Sequence, residues 1–347
     1  MSDDDLICEP SQTTATAPAL PEDQPNPKLP DEDAPELRPA NFHLSISHPP
    51  KDPGKPGVKR DGDNVVVFGS DEVMDVFENK DGVYSVHGYA RRSEHAFGDF
   101  FLGLDMGEDY RQQSTAINEA IMEITMEEGF VMGAEATAEV LKRLDGDPPD
   151  AQHLTDGMLA RVCAALFGLP DDDLIEDGGF SIHLLPPGRC PGDYAPMSGY
   201  IFLPEPGVPL TLAGRHLGRI LKKQTLAFVE RLRRTPDLPE PRLTRALFKA
   251  YPDEADNDLL ARTLVGIMMG LLPTTEGNLV QVLKSMHSDG SYYRVAKEIR
   301  ALVDPLDPKA AADVLRVPMF NAMQACPMPP AVWRTALEDH RIGPVEV

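Results

Sequence analysis

The chain is poor in the residues that anchor the commonest chemistries. Its four cysteines, Cys8, Cys163, Cys190 and Cys326, are scattered with no CxxC pair and no metal-ligand spacing, which gives no basis for a disulfide framework or a zinc finger. The nine histidines form no HExxH pattern, so a metal is expected only inside a cofactor. GxSxG, Walker and GxGxxG signatures are absent, and the common hydrolase, phosphate-loop and dinucleotide classes fall back with them. No apolar run approaches the roughly 20 residues of a membrane span. The longest, Leu264 to Pro273, is flanked by Asp256, Asp258 and Glu276. Cations are also short: 33 lysines and arginines face 56 acids, a formal charge of −23. Such a surface repels phosphates and argues against nucleic acid or anionic lipid as a partner. With no signal peptide in view, a reduced, cytoplasmic protein is expected.

What the chain does hold is one dominant apolar stretch, Leu259 to Met286. Leu260, Leu264, Ile267, Met268, Leu271 and Leu272 keep helical spacing, and Val265 and Met269 widen the apolar surface, so the segment is predicted to be a buried helix and the spine of the fold. Gly266 and Gly270, one turn apart, form a flat strip where a second helix or a flat ligand can approach. Pro273 has no N–H, so the carbonyl of Met269 loses its helical partner and a kink is predicted beside Thr274 and Thr275.

Around this spine the sequence reads as mainly α. Residues 1–60 carry 12 of the 34 prolines and 11 acids and are expected to be a disordered tail. Asp3-Asp4-Asp5 and Asp31-Glu32-Asp33 within it could dock a basic partner. Order is expected from about residue 61, with a strand over 64–69, Ser70 as N-cap and a helix from Asp71 to Asn79. A glycine- and aromatic-rich loop, 98–105, then leads into one long helix from Glu108 to Leu144. Further helices are predicted at Leu154–Phe167, Leu210–Arg234 (basic and amphipathic) and Thr244–Lys249, and beyond the spine at Tyr292–Val303, Pro308–Leu315 and Pro318–Ala325. Between them, Asp177 to Pro209 reads as a long ordered loop. An extended tail carries Trp333 and Arg334.

Several side chains could carry chemistry. The hydroxyl of Thr274 could donate to a bound oxygen species or bond back to a helix carbonyl. Gly188-Arg189-Cys190-Pro191-Gly192 reads as a thiolate loop or as a turn with an incidental cysteine. Arg334 could clamp a carboxylate or form an internal ion pair.

Taken in order, these pieces resemble the cytochrome P-450 superfamily of haem-thiolate monooxygenases. The strand and helix over 65–79 are similar to the pair before that family's pocket. Phe101-Leu102-Gly103-Leu104-Asp105-Met106-Gly107-Glu108 looks like its "FLGMD-P" entry to the helix beneath the haem. Leu166-Phe167-Gly168-Leu169-Pro170-Asp171 looks like its "GLP" helix end, and Leu264 to Leu283 like its oxygen-activating helix with Thr274-Thr275 on the threonine positions. Phe320 to Gln324 and Pro329 to Ala336 are similar to the helix and arginine segment that follow. The likeness spans roughly residues 60–347. It implies a partial cytochrome P-450-like helical fold with small β elements, haem as cofactor, and a redox donor. It assigns oxygen activation to Thr274, cofactor contacts to Arg334, Gly270 and Arg111, and a small apolar substrate to a pocket at Met268, Met269 and Leu272.

The same alignment has departures. The family's acid before the threonine is Pro273 here, and its Glu-x-x-Arg pair reads Asn321-x-x-Gln324. Asp109 and Gln113 stand where a propionate-binding His and Arg are usual. The sequence reaches Val347 before the loop that carries the family's axial cysteine, so no protein ligand to iron is expected from this chain. Two functions compete: a haem-thiolate oxygenase whose thiolate loop is supplied elsewhere, or a haem-free relative that serves a partner enzyme as scaffold or helper. A helical binding protein with an accidental likeness is the third. The DNA following the Val347 codon and a haemin spectrum separate them.

Overall fold

The computed structural model describes residues 57–62, 64–143, 151–168, 190–235, 241–302, 307–325 and 332–347. Eleven α-helices among these residues carry the architecture, with three two-stranded antiparallel ribbons at the margin. The mainly α expectation holds.

A strand begins ahead of the expected boundary at residue 61. Strand β1 (Val58–Asp61) pairs antiparallel with β2 (Asn64–Val67), Val58 opposite Val67. The branched side chains of Val58 and Val67 suit a pleated ribbon, and the proline and acid counts over 1–60 concealed that strand. The rest of the predicted tail, 1–56, lies outside the described residues. Helix α1 (Ser70–Glu78) follows, with Gly69 rather than Ser70 at the N-cap and no side-chain cap bond. Strand β3 (Tyr84–Ser85) leads to α2 (His87–Ala96), and a single turn of 3-10 helix, Phe101–Gly103, closes the aromatic loop.

The single helix predicted over 108–144 is two: α3 (Glu108–Met122) and α4 (Met126–Arg143). Thr125 breaks it. Its hydroxyl accepts from the Glu128 N–H at 3.1 Å, and the Glu128 carboxylate accepts from the Thr125 N–H at 2.8 Å. This reciprocal capping box satisfies two amides that a new helix would leave orphaned.

Helix α5 (Ala151–Phe167) matches expectation; of the predicted loop, 177–189 lies outside the described residues and the part from 190 on is mostly helical. Cys190–Phe202 is helix α6, and Gly207–Arg234 is helix α7. Pro191 stands in the first turn of α6, where its missing N–H has no partner to lose. Tyr194, Met197 and Ile201 keep the helical period and are fully buried, and that burial outweighs Pro196 in the interior. Helices α6 and α7 come close because Gly214 has no side chain: a Cβ there would strike Tyr200 and the carbonyl of Pro196.

After α8 (Arg242–Ala250), the spine is a continuous helix α9 (Asn257–Ser288) of 32 residues that runs through Pro273. Its first half, Leu260 to Leu272, sits in the main core with Phe97, Phe100, Phe101, Phe167, Tyr194 and Met197. Its second half serves another core, in which Val282 and Met286 meet Val295 of α10 (Ser291–Arg300) and Ala322 of α11 (Pro308–Ala325). The two helices predicted over 308–325 are one, with Pro318 inside it. Strand β4 (Thr335–Ala336) pairs with β3, and β5 (Arg341–Ile342) with β6 (Val345–Glu346). No described helix is long and apolar enough to cross a membrane.

Candidate functional site

The glycine strip on α9 is filled by protein at its first position. Gly266 is buried, and a Cβ there would fall well inside 3.0 Å of the Phe100 ring. Phe100 is itself 0% exposed and tilted against Phe97 and Phe101, with ring centroids 5.3 and 6.1 Å away. One turn on, Gly270 is half-buried and an added Cβ would meet only Leu102, at 3.5 Å. The "flat ligand" and "close packing" readings of the strip are thus divided: an aromatic side chain lies on Gly266, and Gly270 keeps some room.

Thr274 is half-buried, and its hydroxyl donates back into its own helix, to the Gly270 carbonyl and to that of Leu271 at 3.2 Å. Neither is the Met269 carbonyl that Pro273 leaves without its N–H partner, so this is ordinary threonine back-bonding onto the preceding turn. The hydroxyl proton is therefore engaged in the helix. Met268, Met269 and Leu272 are 1%, 0% and 0% exposed and belong to the main core. The Tyr194 hydroxyl approaches the Met268 sulfur at 3.9 Å.

Arg334 lies in an aromatic stack. The Tyr89 hydroxyl donates to the Trp333 carbonyl (2.8 Å) and accepts from the Trp333 N–H (2.9 Å), while the two rings meet edge-on at 4.4 Å. Gly88 allows it, because a Cβ there would collide with the indole. The Arg92 guanidinium covers the indole at 4.7 Å. Arg334 covers Phe77 at 5.1 Å and Tyr89 at 5.8 Å, and donates to the Trp333 carbonyl. Burial pushes the Tyr89 phenol above its ordinary value, partly offset by the Trp333 hydrogen bond and the two arginines. Arg334 thus joins the C-terminal segment to α1 and α2 through cation–π contact.

Arg111 is exposed on α3, in an open cleft with Glu108, Gln112, Thr115 and Ala250. Neither this cleft nor the one between α2 and α7 is lined by Gly270, Thr274, Arg334 or the three core side chains. Asp105, from the "FLGLD" stretch, accepts from Ser85 Oγ (2.6 Å) and the Val86 N–H (2.7 Å), so it fixes the start of α2. Asn321 is exposed on α11, and the Gln324 side chain lies outside the described residues.

An acid pair, buried Asp156 with half-buried Glu276, escaped the sequence reading. Glu276, directly after Thr274-Thr275, shares a hydrogen bond with the Asp156 carboxyl of α5 and accepts from Gln152 Nε2 at 3.2 Å. Burial raises the Glu276 carboxyl above the ordinary carboxylate range, and the bonds to Asp156 and Gln152 offset it in part. In the window between its unfolded and raised folded values, the folded chain binds the proton more tightly, so stability falls as pH rises through that window. Glu276→Gln, which keeps the hydrogen bonds without the charge, is expected to unfold at a higher temperature than the parent at pH 7 and to match it near pH 4. Calorimetric melts at the two pH values check this, and equal melts at pH 7 would refute it.

No family model matches the chain, and no curated protein does. Among solved structures it is similar to the crystal structure of a cytochrome P-450 (CYP102L1), with a TM-score of 0.57 and 16% identity, over 83% of this chain and 67% of that one. The fold is cytochrome P-450-like, mainly α with small strand elements.

Phe100 occupies the face of Gly266, Thr274 is bonded to its helix, and Arg334 is packed on rings. Cys163, the cysteine whose side chain is described, is 1% exposed among core residues of α5.

Proposed function

We propose that this chain is a haem-free protein of cytochrome P-450-like fold that acts as a scaffold or helper for a partner enzyme. The observation that carries this reading is the engagement of Arg334, a residue the resemblance gives to the cofactor, with the Phe77 and Tyr89 rings and the Trp333 carbonyl. Three features agree with it: the Thr274 hydroxyl is engaged with helix carbonyls, Pro273 stands where a proton-relaying acid would, and Asn321 cannot form an ion pair. The test is haemin added to the purified full chain, followed by the reduced, carbon-monoxide-bound spectrum. The expected result is no saturable Soret band and no change on Arg334→Ala. One equivalent of haemin bound with a thiolate-type band would overturn the proposal. It would restore the oxygenase reading, with a redox donor and a small apolar substrate held against Met268, Met269 and Leu272. The helper role further requires a partner enzyme that co-purifies in stoichiometric amount and whose turnover changes when this chain is removed.

A further inference from the structure

The protein's charge is distributed in a way that its total of −23 hides. Helix α7 carries seven lysines and arginines against a single acid, Glu230. Arg215 and Lys222 are half-buried, and Arg233 is tied to Asn257 and to the carbonyls of Tyr251 and Pro252. Arg219, Lys223, Arg231 and Arg234 are exposed, and Arg234 meets Glu230 at 3.3 Å. Arg219 and Lys223, one turn apart, open into a cleft of about 510 Å³ between α7 and the end of α2. Of its apolar lining, Ala96 and Phe97 are buried and Leu226 is half-buried. The other charged groups that face it are His95, Glu94 and Asp258, and Asp258 is already engaged by Lys222 (2.8 Å) and Arg262 (3.1 Å). Two exposed cations beside the half-buried Leu226 remain, on a body that is otherwise strongly acidic.

We infer that this α2–α7 groove is the docking site of the chain's own acidic N-terminal segment, centred on Asp31-Glu32-Asp33 and Glu36. Residues 1–56 hold four lysines and arginines against eleven acids. The rest of the molecule is also net negative and repels them, so the basic face of α7 is where the field reverses. The acids 31–33 and 36 are flanked by Leu29, Pro30 and Leu37, which supply apolar groups for Leu226. Reach sets no limit: the 21 residues from Glu36 to Gly57 can span about 70 Å, and a body of this size is about 50 Å across. Tethering gives the segment an effective concentration of roughly millimolar. This inference does not depend on the haem-free reading, and a haemin spectrum of either kind leaves it standing.

The test is zero-length carbodiimide coupling of carboxylates to lysines in the full chain, mapped by mass spectrometry on the monomer band. Lys223 is expected to join Asp31, Glu32, Asp33 or Glu36, and the yield to drop about five-fold or more in 1 M salt, where the screening length shrinks to about 3 Å. Arg219→Glu keeps Lys223 as reporter and is expected to reduce the same crosslinks about five-fold, while the Lys222–Asp258 crosslink persists as an internal reference. A second variant changes only the segment: D31N/E32Q/D33N/E36Q is expected to raise the acetylation rate of Lys223 relative to the exposed Lys249 of α8. Crosslinks from Lys223 only to body acids such as Glu94, or only to a second copy in a dimer band, would overturn the inference. Unchanged acetylation in the segment variant would do the same.

Discussion

Replacing Arg92 with alanine is expected to lower the unfolding free energy by about 3–5 kcal/mol. Its guanidinium donates to the carbonyls of Tyr200 and Ile201 (3.2 Å each), Leu203 (2.5 Å) and Pro204 (2.8 Å). These are the last carbonyls of α6 and the first of the turn into α7, and a helix end leaves such acceptors without intrahelical donors. Each hydrogen bond from a charged donor contributes about 1.5–3 kcal/mol, though bonds sharing one donor do not add fully. The same group covers Trp333, so its loss also loosens the C-terminal segment. Arg92→Lys is expected to recover less than half, because an ammonium cannot fork across four acceptors. Denaturant unfolding followed through Trp333, the sole tryptophan, reads both effects. A loss below about 1 kcal/mol would show that water replaces the guanidinium at no appreciable cost.

Gly266→Ala is expected to destabilise the chain, although alanine is the better helix former. Mid-helix alanine gains about 1 kcal/mol over glycine, whereas overpacking a closed core costs about 1–3 kcal/mol, occasionally more. At Gly266 the second effect wins, because Phe100 is fully buried and wedged between Phe97 and Phe101. Gly270→Ala is the control with the opposite sign. Its Cβ would make ordinary contact with Leu102, so the propensity gain of up to about 1 kcal/mol is expected to survive. Adding Phe100→Leu to Gly266→Ala is expected to recover part of the loss by opening space at the ring. Equal signs for the two alanine variants in thermal melts would refute the packing account.

Glu276 and Asp156 are 120 residues apart in a sequence that holds 56 acids. Nothing local distinguishes them, and only the packing of α5 on α9 makes them a pair. Arg92 was equally silent, since its partners are backbone carbonyls more than 100 residues away. The Thr125-x-x-Glu128 box, by contrast, is a local signal that sequence reading could have used to split the helix over 108–144. Helix α6 was hidden because Pro191, Gly192 and Pro196 punctuate it, although the period of Tyr194, Met197 and Ile201 was present.

The sequence by itself determined the spine. Leu264 to Leu272 is apolar all round, and Leu260 extends the apolar face, so α9 demands burial and lies at the centre whichever elements surround it. It also determined the mainly α class, because helical period dominates wherever apolar residues recur, and the charge asymmetry of α7. Tertiary structure decided what meets the spine. Whether Gly266 faced a helix, a ligand or a side chain depended on where the loop carrying Phe100 returned. Whether Thr274 served a ligand or its own helix depended on hydrogen-bond geometry next to Pro273. Arg334 could clamp an acid or stack on rings, and the placement of Phe77 and Tyr89, some 250 residues earlier, settled it. Period and composition act over a few residues, whereas those choices rest on contacts between segments that only the folded chain brings together.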